Sequence, residues 1–131
     1  MTYGSRVRWT QKIHWTRKKE TAMQNLDALK NALLTVGPPV SHYAAAKQPD
    51  KYIVWAEDGQ TDAVWADGSM QEQAIGGTID YFTKTEYDLD VKKIQDALNT
   101  AGISYRLNSV QYETDTGYIH YEWVFEVDGF G

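Results

Sequence analysis

The stretch Val110-Gln111-Tyr112-Glu113-Thr114-Asp115-Thr116-Gly117-Tyr118-Ile119-His120-Tyr121-Glu122-Trp123-Val124-Phe125-Glu126-Val127 decides the fold. Thr114, Asp115, Thr116 and Gly117 are turn formers between two runs rich in aromatic and β-branched residues, which is the pattern of a hairpin. If Glu113 pairs with Tyr118, the register sets Tyr112 opposite Ile119 and Val110 opposite Tyr121. Ile119, Tyr121, Trp123, Phe125 and Val127 then share one face, while Tyr118, His120, Glu122 and Glu126 share the other, interrupted by Val124. A slip of one residue would put five large apolar groups in water, so other elements must cover that face.

Working outward, two helical patterns supply the cover. Thr85 and Asp88 have the spacing of a capping box, followed by Leu89 or Val91, Ile94, Leu98 and Ala101 on one face and by Gly102 as a stop signal. Thr21 and Gln24 have the same spacing, and Ala22, Leu26, Leu29, Leu33 and Val36 recur until Gly37, Pro38 and Pro39 end the pattern. Pro38 to Lys51 reads as a loop. Tyr52 to Glu57 and Asp62 to Asp67 read as a hairpin across Asp58-Gly59-Gln60-Thr61. A longer strand runs from Gln73 to Thr83, where Gly76 and Gly77 mark a bulge or a close backbone approach. The expected fold class is α+β: an antiparallel-rich sheet of four to five strands with two helices packed on one face, in the order (β)-α-β-β-β-α-β-β. Residues 1–20 read as a basic N-terminal arm or tail and residues 21–131 as a single domain.

Composition narrows the function classes. The chain has 131 residues and no cysteine, which excludes a disulfide scaffold, a thiol nucleophile and thiolate metal sites. Aromatic residues make up 13%, a share suited to cores and contact surfaces. No apolar run approaches the ~18 residues of a membrane span, and the basic N-terminus lacks the apolar run of a secretory signal, so a cytosolic product without a membrane partner is expected. Net charge is −5, yet Arg6, Arg8, Lys12, Arg17, Lys18 and Lys19 all precede the first acidic residue, Glu20. The rest of the chain holds 7 basic and 18 acidic residues, a net of −11 that disfavours DNA binding by the body.

The basic segment also alternates. Val7, Trp9, Ile13 and Trp15 interleave with Arg8, Thr10, Lys12, His14 and Thr16, the period of a half-buried strand, and only Gln11 interrupts the apolar row. Such a segment wants a partner surface, either this domain's own sheet edge or a neighbouring subunit. Arg6, Arg8, Trp9, Lys12, Trp15, Arg17, Lys18 and Lys19 are the candidate interaction residues. The plainer alternatives are a solubilising tail or a start upstream of the native one, since Met23 could open the first helix.

Catalytic signals are sparse. His14, His42 and His120 have no helical metal-site spacing. His120 and Glu122 share a strand face with Glu113 and Gln111 across the hairpin, an acid–base cluster or simply a solvated face. Asp88 and Asp90 begin like a calcium loop, but Lys92 and Lys93 stand where oxygen ligand and glycine are needed, and the start of a helix explains the acids better. Asp58-Gly59 and Asp67-Gly68 read as turns. There is no Gly-Lys-Ser or Gly-Lys-Thr loop and no G-x-S-x-G. No catalytic, cofactor or metal residue is assigned, no cofactor is expected, and the expected role is non-enzymatic.

The order Tyr52-Ile53-Val54-Trp55, Ala66-Asp67, Asp80-Tyr81-Phe82-Thr83-Lys84, Tyr87-Asp88, the helix to Leu98, Gly102-Ile103, and Tyr112 through Trp123 resembles the tail-completion or tail-terminator proteins of Gram-positive siphophages and prophages. These words are turns, strand faces and a helix boundary, and none is a catalytic signature. The resemblance implies a small α+β subunit that forms a six-fold ring at the head-proximal end of the tail tube. There it stops tube growth and joins tail to head, with copies of itself, the tail tube protein and the head connector or stopper as partners. DNA would pass through without specific binding, and the protein would reside in the virion after synthesis in the host cytoplasm. The segment before Thr21 lies outside the pattern. Competing readings are another minor capsid or head–tail connector protein, or a small enzyme or ligand-binding domain using His120 and Glu122.

Overall fold

The computed structural model describes residues 23–60, 64–66, 69–72 and 74–128. The Thr21 cap and the strand ends expected at Asp62 and Asp67 lie outside them, as does the strand-like arm. Along the described chain run helix α1 (residues 23–34), β1 (Val40–His42), β2 (Lys51–Gln60), β3 (Val64–Ala66), β4 (Ser69–Glu72), β5 (Ala74–Thr83), α2 (Leu89–Thr100), β6 (Ser104–Tyr112) and β7 (Ile119–Asp128). The principal sheet has five strands in the order β1-β2-β5-β7-β6, and β3 with β4 forms a separate two-stranded sheet. The architecture is α+β, as expected.

The hairpin of β6 and β7 has the expected register, with Tyr112 opposite Ile119 and Val110 opposite Tyr121. Glu113 N–H donates to the Tyr118 carbonyl at 2.8 Å, closing the turn. Alternation then does what the pattern requires: Trp123, Phe125 and Val127 are buried. β7 in turn pairs with β5, setting Ile79 beside Trp123 and Tyr81 beside Tyr121. β5 pairs with β2, setting Ile53 beside Tyr81 and Trp55 beside Ile79. These residues share one face and form one core with Leu29, Leu33 and Val36 from the α1 segment and Ile94 and Leu98 from α2. Both helices therefore pack on that face. α2 ends in a Schellman arrangement, Ile103 N–H to the Leu98 carbonyl and Gly102 N–H to the Asn99 carbonyl, with Gly102 at φ 71°.

Three expectations need correction. β2 does not form a hairpin with the next run; it pairs antiparallel with β5, and the Asp58-Gly59 step lies at a bulge where Glu57 faces Gly77 and Gly59 faces Gly76. An Asp-Gly step suits a bulge as well as a turn, because both ask for a glycine at positive φ, here 151°. The stretch from Pro38 to Lys51, expected as a loop, contains β1, which runs parallel to β2 and makes the sheet mixed. Pro38 and Pro39 lie just before the strand, which itself contains no proline, and the Pro39 carbonyl accepts from Ile53 N–H at 2.8 Å. The α2 cap is Asp88 itself, with Thr85 outside the helix.

The second face is partly covered. Gln48 and Pro49 lie over it, their carbonyls 2.8 and 2.6 Å from the Tyr118 hydroxyl that donates to them. Beneath them Tyr52 stacks on Phe82 at 4.6 Å, and Tyr118 meets Tyr52 edge-on at 5.5 Å.

Gly77 is where the sheet can least be altered. A Cβ there would lie 2.0 Å from the Ala56 carbonyl oxygen, a backbone atom of the paired strand. Gly77→Ala is expected to lower stability by about 3 kcal/mol or more in urea unfolding, whereas Gly117→Asn, at a positive-φ turn with open space, should cost less than about 1 kcal/mol.

Candidate functional site

The turn between β5 and α2 is held from beneath by a buried carboxylate. Asp88 keeps only 8% of its surface exposed and caps α2 from an extended conformation. Its Oδ1 accepts from the Asp90 N–H at 2.9 Å. Its Oδ2 accepts from the Thr83 hydroxyl at 2.6 Å and the Tyr81 hydroxyl at 2.7 Å, and Lys51 Nζ lies 3.2 Å away. Burial opposes the charge on Asp88, but the hydrogen bonds from Thr83, Asp90, Tyr81 and Lys51 outweigh it and lower its pKa. Burial first, and then the bond to Asp88, push the Tyr81 phenol well above its ordinary pKa.

Directly before this anchor, Tyr87 stands 95% exposed with φ at 53°. A left-handed backbone costs an aromatic L-residue about 1–2 kcal/mol, so the turn holds a strained side chain in water. Leu89, the first residue of α2, is also exposed, at 77%. The pair forms an outward apolar point on a rigid base.

A second such point lies at the β1 edge. Tyr43 has φ 71° and is exposed, and its hydroxyl donates to Glu57 Oε1. His42 stacks between Tyr43 and Trp55, with ring centroids 3.9 Å from each, and contacts Glu57 Oε2 at 2.8 Å. Burial raises the Glu57 pKa, but bonds from Tyr43 and His42 prevail and lower it overall.

The histidine face expected from the sequence is built differently. His120 Nε2 lies 2.6 Å from Asp80 Oδ1, and Nδ1 lies 3.8 Å from Glu113 Oε2. Glu122 instead accepts from the Asn108 amide at 2.9 Å, and Gln111 is the strand neighbour of His120. Phe82 stacks under the imidazole at 4.2 Å. The bond to Asp80 raises the His120 pKa against the opposing effect of burial, with help from the charges of Glu113 and Glu122. Carboxylates near both ring nitrogens favour the charged imidazolium, the arrangement of a cross-strand ion pair. Asp80 is the member the sequence reading missed. It becomes a neighbour only through the β5–β7 pairing, which no local pattern specifies.

Arg6, Arg8, Trp9, Lys12, Trp15, Arg17, Lys18 and Lys19 lie outside the described residues. Among the described residues, no group of three or more His, Asp or Glu is placed to hold a metal, and no buried side-chain polar atom lacks a hydrogen bond. No helix there is long and apolar enough to cross a membrane. The described surface carries large apolar side chains exposed outside the core, among them Tyr43, Tyr87, Leu89 and Tyr112. Compared with known proteins, the chain matches no protein-family model and no curated sequence.

The two kinds of anchor respond oppositely to pH. Asp88 has a lowered folded pKa, so its contribution is present above about pH 4, the unfolded carboxylate value, and is lost as pH falls through the folded pKa. His120 has a raised folded pKa, so its contribution is complete below about pH 6.5 and is lost as pH rises through the folded value. Urea titrations from pH 3 to 9 should show Asp80→Asn removing the alkaline decline and leaving the acid one. Asp88→Ala should cost about 2–4 kcal/mol at neutral pH, because it removes a cap and strands Tyr81, Thr83 and Lys51.

Proposed function

We propose that this chain is a structural subunit of a phage tail that assembles with copies of itself into a ring, six-fold by the family resemblance. It ends growth of the tail tube at the head-proximal end and joins the tail to the head. The observation that carries the reading is the pair of outward, left-handed tyrosines: Tyr43, whose hydroxyl donates to Glu57, and Tyr87, which directly precedes the buried cap Asp88. A closed ring needs two unlike surfaces on each subunit, because head-to-tail contacts repeat by rotation. The α2 start, with Tyr87 and Leu89, and the β1 edge, with Tyr43 and His42, are two such surfaces. Exposed tyrosine is well suited to contact, offering much area for little side-chain entropy.

The resemblance in sequence supports the same reading, since Tyr87-Asp88 and Tyr112 through Trp123 are among the words that carry it. The acidic body, net −11 after residue 19, suits a channel through which DNA slides without binding. In this reading the His120–Asp80 pair is a cross-strand tie, and the protein carries out no reaction.

The test is assembly. Sedimentation and negative-stain electron microscopy of the purified protein, alone and with tail tube protein, should show rings. A species that stays monomeric at every concentration and with that partner would overturn the reading. Tyr87→Gly separates contact from folding: it removes the side chain and relieves the left-handed strain. Unfolding free energy should be unchanged or higher by up to about 1 kcal/mol, while ring formation drops at least about tenfold.

A further inference from the structure

β6 is the outer strand of the principal sheet, nine residues long, and beyond Tyr105, which packs against the core, its helix-side residues are left open by the described elements. Leu107, Val110 and Tyr112 pair with Trp123, Tyr121 and Ile119, so they lie on the helix side, yet they are 44%, 51% and 65% exposed. The opposite side of the same edge is polar. Ser104, Arg106, Ser109 and Gln111 lie there, with Glu122 and Glu126 behind them on β7. His120 on that side already has Asp80. Arg106 is thus the one cation of β6 set against two carboxylates. An added strand that fits this edge must be apolar toward the helices and basic toward the other face.

Residues 7–15 have that composition. Val7, Trp9, Ile13 and Trp15 fall on one side of a strand and Arg8, Lys12 and His14 on the other, over the same nine-residue length as β6. The described chain also begins in the right place. Asn25, near the start of α1, donates to the Asp128 carbonyl at 2.6 Å, and Asn25 and Ala28 line a small cavity with Gly102, Ile103 and Ser104. The chain therefore enters α1 beside the first residue of β6. Seven residues, 16–22, can span up to about 24 Å, several times the ~4.8 Å between neighbouring strands.

We propose that the outer edge of β6 is the docking edge for residues 7–15 of the same chain, added antiparallel as a further strand. Antiparallel is the direction set by the anchor: the end of the segment nearest α1 lies at Ser104 and its beginning toward Tyr112. Val7 and Trp9 then cover Tyr112 and Val110, Ile13 and Trp15 extend the apolar side toward the Ser104 end, and Arg8, Lys12 and His14 face the side that holds Glu122 and Glu126. A tethered segment competes well with a free one because its effective concentration is in the millimolar range. The inference does not depend on the ring, since it concerns one chain closing its own sheet.

Hydrogen exchange of the β6 amides tests it, with β2 and β5 amides reporting that the fold is intact. In the full chain the outward amides of residues 104–112 should be protected equally at low and high protein concentration. Removal of residues 1–19, or the full-length double change Trp9→Lys and Trp15→Lys, should speed their exchange about 100-fold or more. Fast exchange in the full chain, or protection that survives both variants, would overturn the proposal. Protection that fades on dilution would also overturn it, by showing that the segment comes from another copy.

Discussion

Asp88 is the constraint from which the rest of the molecule is suspended. One carboxylate joins a strand end, a turn and a helix start, because Thr83 and Tyr81 belong to β5, Lys51 begins β2, and Asp90 lies in the first turn of α2. A charge this well buried is tolerable only when donors surround it, and here four groups do so. With the helix start pinned to β5, the apolar stripe of α2 is aimed at the sheet, and Ile94 and Leu98 are driven fully inside. The aromatic face of β7 is covered as a result, and the Trp123 indole finds Gln95 of α2 at 3.1 Å.

The sheet is locked in register by a different device. Gly77 lets the Ala56 carbonyl come closer than any side chain would allow, opposite the bulge that absorbs Asp58. A one-residue slip of β2 along β5 would turn Ile53 and Trp55 away from the helices, and toward Thr78 it would also bring a side chain against that carbonyl. The same face logic separates the two histidines. His42 belongs to the helix side beside Trp55, whereas His120 belongs to the opposite side beside Phe82, so the two cannot act as one centre.

Much of this was legible from local pattern. The β6–β7 register, the apolar stripes of both helices and the stop at Gly102 each follow from a period and a turn residue within a few positions. What escaped depends on strand order. β1 has three residues and follows two prolines, so its parallel ladder on β2 leaves almost no local trace. Asp58-Gly59 satisfies a turn and a bulge equally, and only the distant partner strand decides between them. Thr85 and Asp88 match a capping box, but the carboxylate three places on is the cap, because Thr83 and Tyr81 arrive from β5 to hold it. Asp80 at His120 escaped for the same reason. The candidate contact residues before Thr21 fall outside the described chain, while Tyr43 and Tyr87 carry no sequence signal, since a positive φ at tyrosine breaks the preference by which such positions are read.

Those two tyrosines share one construction. Each has an unfavourable backbone and an exposed ring, and each adjoins a carboxylate whose pKa is lowered by the hydrogen bonds it accepts. At Asp88 those bonds hold the turn that carries Tyr87; at Glu57 the bond comes from the Tyr43 hydroxyl itself. Strain of this kind persists only where neighbouring interactions outweigh it. A fold indifferent to these positions would relax them at small cost, by a glycine or asparagine that accepts the left-handed region freely. Within the subunit Tyr43 offsets part of that strain through its stack on His42 and its bond to Glu57, whereas burial against another surface would compensate the exposed ring of Tyr87. The proposed ring supplies that burial at two unlike places on each protomer, the arrangement that rotational closure demands.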